Sequence, residues 1–336
     1  SVLRKILAIC IIKRTIEKLK KKIPPTQAAY QEGRSTTENV FTFKILAEKA
    51  VTTQDYTVHF LMLDMSKAFD TVRRNDLIEI IEPILDKDEL HLIKILIEDV
   101  TLQVKIGKTT GEEITTNIGV PQGDCLSPIL FVIYLAEAMK NLKQIITPSN
   151  TLDHNYCHQF QKLSIDQQYA DDIGWASRDK NEIQKLKKEA PPKLKKKNLG
   201  VNEGKTEEYE VRRDGPDDWK KAKYLGSMME TENDIKRRKS LALATYRKLS
   251  YIFENKRISL ETKIRLLDSH VESIFLYNSE LWTVTQKQEQ EIDAFQRSLI
   301  RKILNVKWPE IISNKDLYEK TKVKKWSYKI KLRRLK

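Results

Sequence analysis

The sequence predicts an α+β fold, on three observations. Up to about residue 230, short runs of β-branched and aromatic residues alternate with segments of helical apolar spacing. Beyond that point strand signals stop, and three helix-length patterns follow one another with short joints. The charge divides at the same place. Of the +14 net charge, residues 231–336 carry +12, from 25 basic and 13 acidic side chains. A mixed unit over 1–230 and a basic helical unit over 231–336 are therefore expected, and 336 residues with 40% hydrophobic content suffice for both cores.

The elements follow in order. Residues 1–22 have helical spacing and end in a lysine cluster, after which Pro24-Pro25 forces an extended segment. A second helix fills about 36–50. "YTVHFLMLD" then reads as a strand, with Val58, Phe60, Met62 and Asp64 on one face by the period of two. From Asn75 to about Val100 the spacing is helical, with interruptions at Pro83 and Lys87-Asp88. "LQVKIGKTTGEEITTNI" predicts a hairpin turning at Gly111. The loop "GVPQGDCLSP" feeds a helix from about Pro128 to Leu142, capped by Ser127. "DQQYADDIGW" follows as a second hairpin, then a helix from Lys180 that the pair Pro191-Pro192 should break. "YEV" and "AKYLGSMM" offer short strands, and helices are expected over about 232–253, 259–280 and 286–305.

Composition also excludes classes of protein. The longest early apolar run, Ile6 to Ile12, is flanked by Arg4, Lys5, Lys13 and Arg14 and is far short of the roughly 20 residues that span a bilayer. Cys10, Cys125 and Cys157 are scattered and odd in number, which argues against a disulfide framework and for a reducing, intracellular setting. Asp153, His154, Cys157 and His158 cluster in "LDHNYCHQF" without a second ligand pair at zinc-site spacing, and read as a polar loop. The chain opens on Ser1, with no initiator methionine or signal cleavage site, and reads as a piece of a longer protein. Its basic last third points to a polyanion partner, or else to a solvated lysine-rich surface.

The residues that invite chemistry are carboxylates. Asp171 and Asp172 adjoin at a tight turn, and Asp64 ends an otherwise apolar strand face. An exposed Asp-Asp turn is the plain interpretation of the pair alone. With a third carboxylate from Asp64, the set would instead suit Mg²⁺ or Mn²⁺, which take oxygen ligands and offset the repulsion.

The neighbouring motifs carry a family resemblance. "YADD" preceded by "LMLDMSKAFD" and "GVPQGDCLSP", in that order, resembles the palm of a reverse transcriptase. "QAAYQEGRSTTENV" resembles the fingers motif of non-LTR (LINE-type) retrotransposon enzymes, "LGVNEGKT" their motif D, and "KYLGS" their primer grip. "SLETKIRLLDSHVESIFLYNSELWTVT" and "FQRSLIRKILNVKW" resemble the thumb and connecting region, most closely in RTE- and CR1-like elements. The resemblance implies a right-hand polymerase with fingers, an antiparallel palm and a helical thumb. It also implies an RNA template, a DNA primer, deoxynucleotides and Mg²⁺ (or Mn²⁺), with no membrane. A complete element protein would add an endonuclease domain and act in the nucleus.

By the same resemblance Asp64 and Asp171 are metal ligands with Asp172 beside them, and Lys205 protonates the leaving pyrophosphate. Phe69 would exclude a ribose 2′-hydroxyl, Gln122 and Gly123 would pack on the nucleotide, and Tyr169 would lie near template, primer or sugar. Arg34 is expected on the triphosphate, and Tyr224, Leu225 and Gly226 at the primer end. Lys236, Arg237, Arg238, Lys239, Arg247 and Lys248 would track the duplex backbone. Two features depart from the family pattern: Ala29, Tyr30, Gln31 and Glu32 replace glycine, phenylalanine and a basic residue, and Pro191-Pro192 fall inside motif D. Two other functions stand beside the polymerase. One is a decayed or domesticated copy that only binds nucleic acid; the other is an RNA-dependent RNA polymerase, which Phe69 and the YADD sequence argue against.

Overall fold

The structure, a computed structural model, describes residues 2–98, 100–121, 123–143, 166–307 and 309–335. The chain divides into two compact units, Ser1–Asp217 and Asp218–Lys336.

In the first unit, α1 (Val2–Lys20) and α2 (Thr36–Thr52) precede strand β1 (Val58–Leu63) and the short β2 (Met65–Ser66). A 3₁₀ turn over Ala68–Thr71 leads to α3 (Arg74–Ile81) and α4 (Lys87–Ile97), which Pro83 keeps apart. Asp86 and Glu89 form a reciprocal capping box at the start of α4. Glu89, with a side chain only 2% exposed, also pairs with Lys18 (2.6 Å) and Arg14 (3.3 Å) of α1. Burial of that carboxylate is therefore matched by two cations.

The hairpin β3 (Val100–Ile106) and β4 (Thr109–Thr116) pairs Ile106 with Thr109. Its turn lies at Gly107, where φ is +62°, and not at the expected Gly111, which sits inside β4. Both glycines fit a turn by composition; the register chooses the one in the left-handed region.

Helix α5 (Ser127–Lys143) runs through the centre of the core, with every residue from Leu130 to Leu135 buried. Strands β5 (Asp166–Tyr169) and β6 (Asp172–Ser177) follow, then α6 (Lys180–Lys196), β7 (Gly200–Val201) and β8 (Glu207–Val211). One antiparallel sheet has the order β5-β6-β1-β8. All six residues of β1 are buried: Phe60 tilts against Phe43 of α2, while Leu61 and Leu63 join the main core. This strand is thus covered on both faces, the apolar face of Val58, Phe60 and Met62 and the opposite one alike.

Helix α6 contradicts the expected break, because it passes through Pro191-Pro192 without interruption. The two prolines deny a donor to carbonyls of the exposed, lysine-rich face, while buried Ile183, Leu186, Ala190 and Leu194 anchor the inner face.

The second unit opens with the hairpin β9 (Lys223–Tyr224) and β10 (Ser227–Met228), then α7 (Thr231–Lys248). Asp234 joins them, accepting from the Met228 N–H (3.0 Å) and from the Trp282 indole (2.8 Å). Next come α8 (Leu260–Leu266), a π-helical turn over Leu267–Glu272, and α9 (Gln286–Ile303). Two further helices, α10 (Asn314–Thr321) and α11 (Trp326–Arg334), close the unit around Trp282, Trp326 and Phe275.

Candidate active site

The sheet sets the carboxylates. Leu63, the last residue of β1, pairs with Ile173 of β6, so continuing that register by one residue sets Asp64 opposite Asp172. The backbone leaves β1 at Asp64, whose carbonyl accepts the Asn202 N–H (2.8 Å). That bond, with the pairing of Met65 to Val201, draws the Glu203–Lys205 turn alongside, and Lys205 Nζ lies 3.4 Å from Asp64 Oδ2. Lys205 remains 68% exposed in its side chain.

Asp171 is held differently. Tyr169 and Asp172 form the last pair of the β5–β6 hairpin, and Ala170 and Asp171 make the turn. Ala170 has φ +54°, a left-handed conformation that a Cβ disfavours. The Asp171 carboxyl is pushed above the ordinary carboxylate range, first by burial and then by the charge of Asp64; a hydrogen bond to its own backbone opposes both. The structure thus brings Asp64, Asp171 and Lys205 into one electrostatic neighbourhood, with Asp172 and Tyr169 at the root of the turn.

Hard oxygen donors under mutual repulsion fit a divalent cation of the Mg²⁺ type. Among the described residues, no group of three or more His, Cys, Asp or Glu side chains is gathered as a ready coordination shell. The observed fit is that of an interacting carboxylate pair.

Two residues for which no role in the site was expected stand at this turn, Tyr30 having been noted only as a departure from the family pattern. Tyr30, itself at φ +58°, has its hydroxyl held above the ordinary tyrosine value by burial and by the charge of Asp171. Gln27 is fully buried and bridges to Gln168 of β5 as a parallel neighbour. Both lie in the stretch "QAAYQ", whose signal was a polar residue and an aromatic amid alanines just after a Pro-Pro pair.

Phe69 lies in the 3₁₀ turn after β2 and stacks on Phe131 of α5, ring centroids 4.2 Å apart. Its carbonyl accepts the Val120 N–H (3.0 Å), and Val72 accepts from Gly119 (2.8 Å). A Cβ on Gly119 would stand 2.9 Å from the Asp70 carbonyl oxygen, so only glycine lets loop and turn approach this closely. Buried Arg74 fastens the same loop, donating to the Gly119 carbonyl (2.8 Å), the Ile118 carbonyl (3.1 Å) and the Thr116 hydroxyl (3.0 Å). Gly123 has φ +84° with open space where a Cβ would be. Gln122 lies outside the described residues, as do Asp153, His154, Cys157 and His158.

Arg34 donates to the Pro25 carbonyl (3.0 Å) and pairs with Glu38. In the second unit, Leu225 (φ +46°) and Gly226 (φ +77°) form the turn between β9 and β10, with Tyr224 buried. The Gly226 carbonyl accepts from Arg237 (2.7 Å) and Arg238 (2.5 Å). Arg238 is 6% exposed and stacks over the Tyr277 ring at 4.5 Å, so its guanidinium serves the hairpin. Lys236 pairs with Glu232 (2.6 Å) and Lys239 lies 3.8 Å from Glu291, while Arg247 and Lys248 are exposed on α7.

Residues 2–229 match the sequence model of a family described as reverse transcriptase (RNA-dependent DNA polymerase). Over 115 residues the chain is 26% identical to the probable RNA-directed DNA polymerase from transposon BS of Drosophila melanogaster; the match covers 34% of this chain and 13% of that protein. Telomerase from Candida tropicalis in complex with a TWJ fragment of telomeric RNA superposes with a TM-score of 0.51 at 16% identity, covering 88% of this chain and 49% of that one. The apo telomerase from Candida tropicalis gives 0.50 at 16% identity, covering 88% and 54%. The chain therefore spans about half of those structures, which at such identity share its fold, and a small part of the transposon protein.

Proposed function

Since the chain belongs to the reverse transcriptase (RNA-dependent DNA polymerase) family, matched over residues 2–229, we propose that it is the polymerase core of a non-LTR retrotransposon protein of RTE- or CR1-like type, acting inside the cell. It would extend a primer 3′-hydroxyl with deoxynucleotides on an RNA template. The observation that carries this reading is the strand register that sets Asp64, one residue beyond β1, at the root of the β5–β6 turn carrying Asp171, 107 positions away in sequence, with Lys205 3.4 Å from Asp64.

Asp64 and Asp171, with Asp172 beside them, would hold Mg²⁺ (or Mn²⁺), which when bound supplies charge stabilisation at the phosphoryl oxygens and a lower pKa for the primer hydroxyl. Lys205 would carry a proton at Nζ toward the leaving pyrophosphate. Phe69, steadied by Phe131, would close the space a 2′-hydroxyl needs, and Tyr169, Gln122 and Gly123 would bound the nucleotide. Arg34 would exchange its Glu38 partner for phosphate oxygens. Tyr224, Leu225 and Gly226 would hold the primer end, and the exposed cations of α7 the duplex backbone.

The test is primer extension on an RNA template with Mg²⁺, wild type beside Asp171→Ala. Mg²⁺-dependent extension by the wild type alone is the expected outcome. Equal activity in both, with contaminating polymerase excluded, sinks the assignment, and binding without extension would favour the nucleic-acid-binding reading. Preference for NTP over dNTP in the same assay would favour an RNA-dependent RNA polymerase.

A further inference from the structure

The turn that carries Asp171 is built from a residue ill suited to it. Alanine in the left-handed region is disfavoured because its Cβ crowds the following carbonyl, yet Ala170 has φ +54°. A two-residue turn has few bonds of its own to enforce such a backbone, and Asp171 is half-buried against the charge of Asp64. Something outside the hairpin has to hold the peptide.

One side chain does so from 143 positions away. Gln27 Oε1 accepts the Ala170 N–H at 2.9 Å, and Gln27 Nε2 donates to the Ala170 carbonyl at 3.2 Å. A carboxamide has an acceptor and a donor side by side, so it matches both polar groups of one residue; a carboxylate would have no donor and a lysine no acceptor. The amide is itself fixed. Oε1 also accepts the Ala29 N–H at 3.0 Å, and the backbone on either side is laced to β5 by Ala28 N–H to the Gln168 carbonyl and Gln168 N–H to the Thr26 carbonyl, both 2.9 Å. Thr26 in turn donates to Asp166 at 3.0 Å. The side chain is fully buried, so water does not compete for these bonds.

We propose that Gln27 is a positioning residue of the reverse transcriptase site: its carboxamide clamps Ala170 in the left-handed conformation and so fixes where Asp171 presents its carboxylate. The proposal rests on the polymerase reading of Asp171, and the clamp itself is readable without catalysis.

The experiment uses the full chain and Gln27→Met, which keeps length and apolar stem but loses both hydrogen-bonding groups. Amide exchange followed by NMR should show the Ala170 amide exchanging about fivefold faster or more, the worth of one lost hydrogen bond, with Ile173 and Trp175 amides of β6 unchanged. In primer extension, kcat should fall between about tenfold and a hundredfold, as for a displaced catalytic group, while the KM for dNTP and the affinity for primer–template stay within about threefold. Unchanged Ala170 exchange, acceleration spread equally through β5 and β6, or unchanged kcat in an enzyme that extends would each overturn the clamp. If the wild type fails to extend, the polymerase reading falls and the exchange comparison alone decides the clamp. Should Gln27→Met fail to fold, Gln27→Asn, which withdraws the amide by one methylene, is read by the same criteria.

Discussion

Gly119→Ala is the substitution whose cost the structure specifies most closely. Two effects add. Gly119 has φ +80°, and a non-glycine residue in the left-handed region costs about 1–2 kcal/mol. The new Cβ would also stand 2.9, 3.1 and 3.2 Å from Asp70 O, Cα and C, all backbone atoms that cannot rotate away, and such overpacking costs about 1–3 kcal/mol. The sum is roughly 2–5 kcal/mol. Gly123→Ala is the control: φ is +84° but nothing lies within 4 Å, so only the backbone cost of about 1–2 kcal/mol applies. Urea denaturation read through amide exchange in β1 and β6 measures both. Because Phe69 and Val72 accept from the Gly119–Val120 backbone, Gly119→Ala should also loosen discrimination against ribonucleotides, whereas Gly123→Ala should not destabilise the Phe69 turn. Equal destabilisation by the two variants would refute the steric argument.

Other expectations are as direct. Asp171→Asn should cut extension by roughly a hundredfold or more and Asp172→Asn by distinctly less, because the turn places them differently; equal losses in steady-state rate would count against that account. Phe69→Val should raise the rNTP-to-dNTP incorporation ratio by about tenfold or more while removing the stack on Phe131, and an unchanged ratio would free Phe69 of the sugar-selecting role. In the second unit, burial first and the charge of Glu272 second raise the Asp268 carboxyl to about 6, against the pull of Lys329. The folded value exceeds the ordinary 3.8, so the folded chain keeps this proton longer and the group's contribution to stability declines as pH rises through that interval. The melting temperature of Asp268→Asn relative to wild type should therefore climb between pH 3.8 and about 6, and a flat difference would reject the assignment.

Much of this was legible in the sequence, for local reasons. Period-two spacing ended a strand at Asp64, and turn chemistry started a helix at about Pro128, one residue from its observed start at Ser127, because such signals span only a few residues. What stayed hidden depends on partners far along the chain. Pro191-Pro192 read as a break, since their local cost is large; the buried row of Ile183, Leu186, Ala190 and Leu194 that anchors α6 is a tertiary fact. Gly107 and Gly111 are equal turn candidates until the partner strand sets the register. Gln27 opened the fingers-like stretch without an expected role of its own, because its hydrogen-bonding partner is Ala170, 143 positions away. The grouping of Asp64 with Asp171 was expected from the order of the motifs; the strand register that sets Asp64 beside the β5–β6 turn belongs to the sheet.

The two guanidiniums seated on the Gly226 carbonyl bear on how the chain would respond to ionic strength. Six cations of α7 were expected to face phosphates, yet Arg237 and Arg238 are occupied by the hairpin, which leaves Lys236, Lys239, Arg247 and Lys248. Each phosphate neutralised on B-form DNA contributes about −0.9 to the slope of log affinity against log salt. The contribution of this helix on a DNA duplex is then about −3.6 at most rather than about −5.4, and formal charge overstates its grip. Part of the basic character of α7 thus acts as internal scaffolding: Arg237 and Arg238 donate to a backbone carbonyl, and Asp234 lies 3.7 Å from the Arg238 guanidinium.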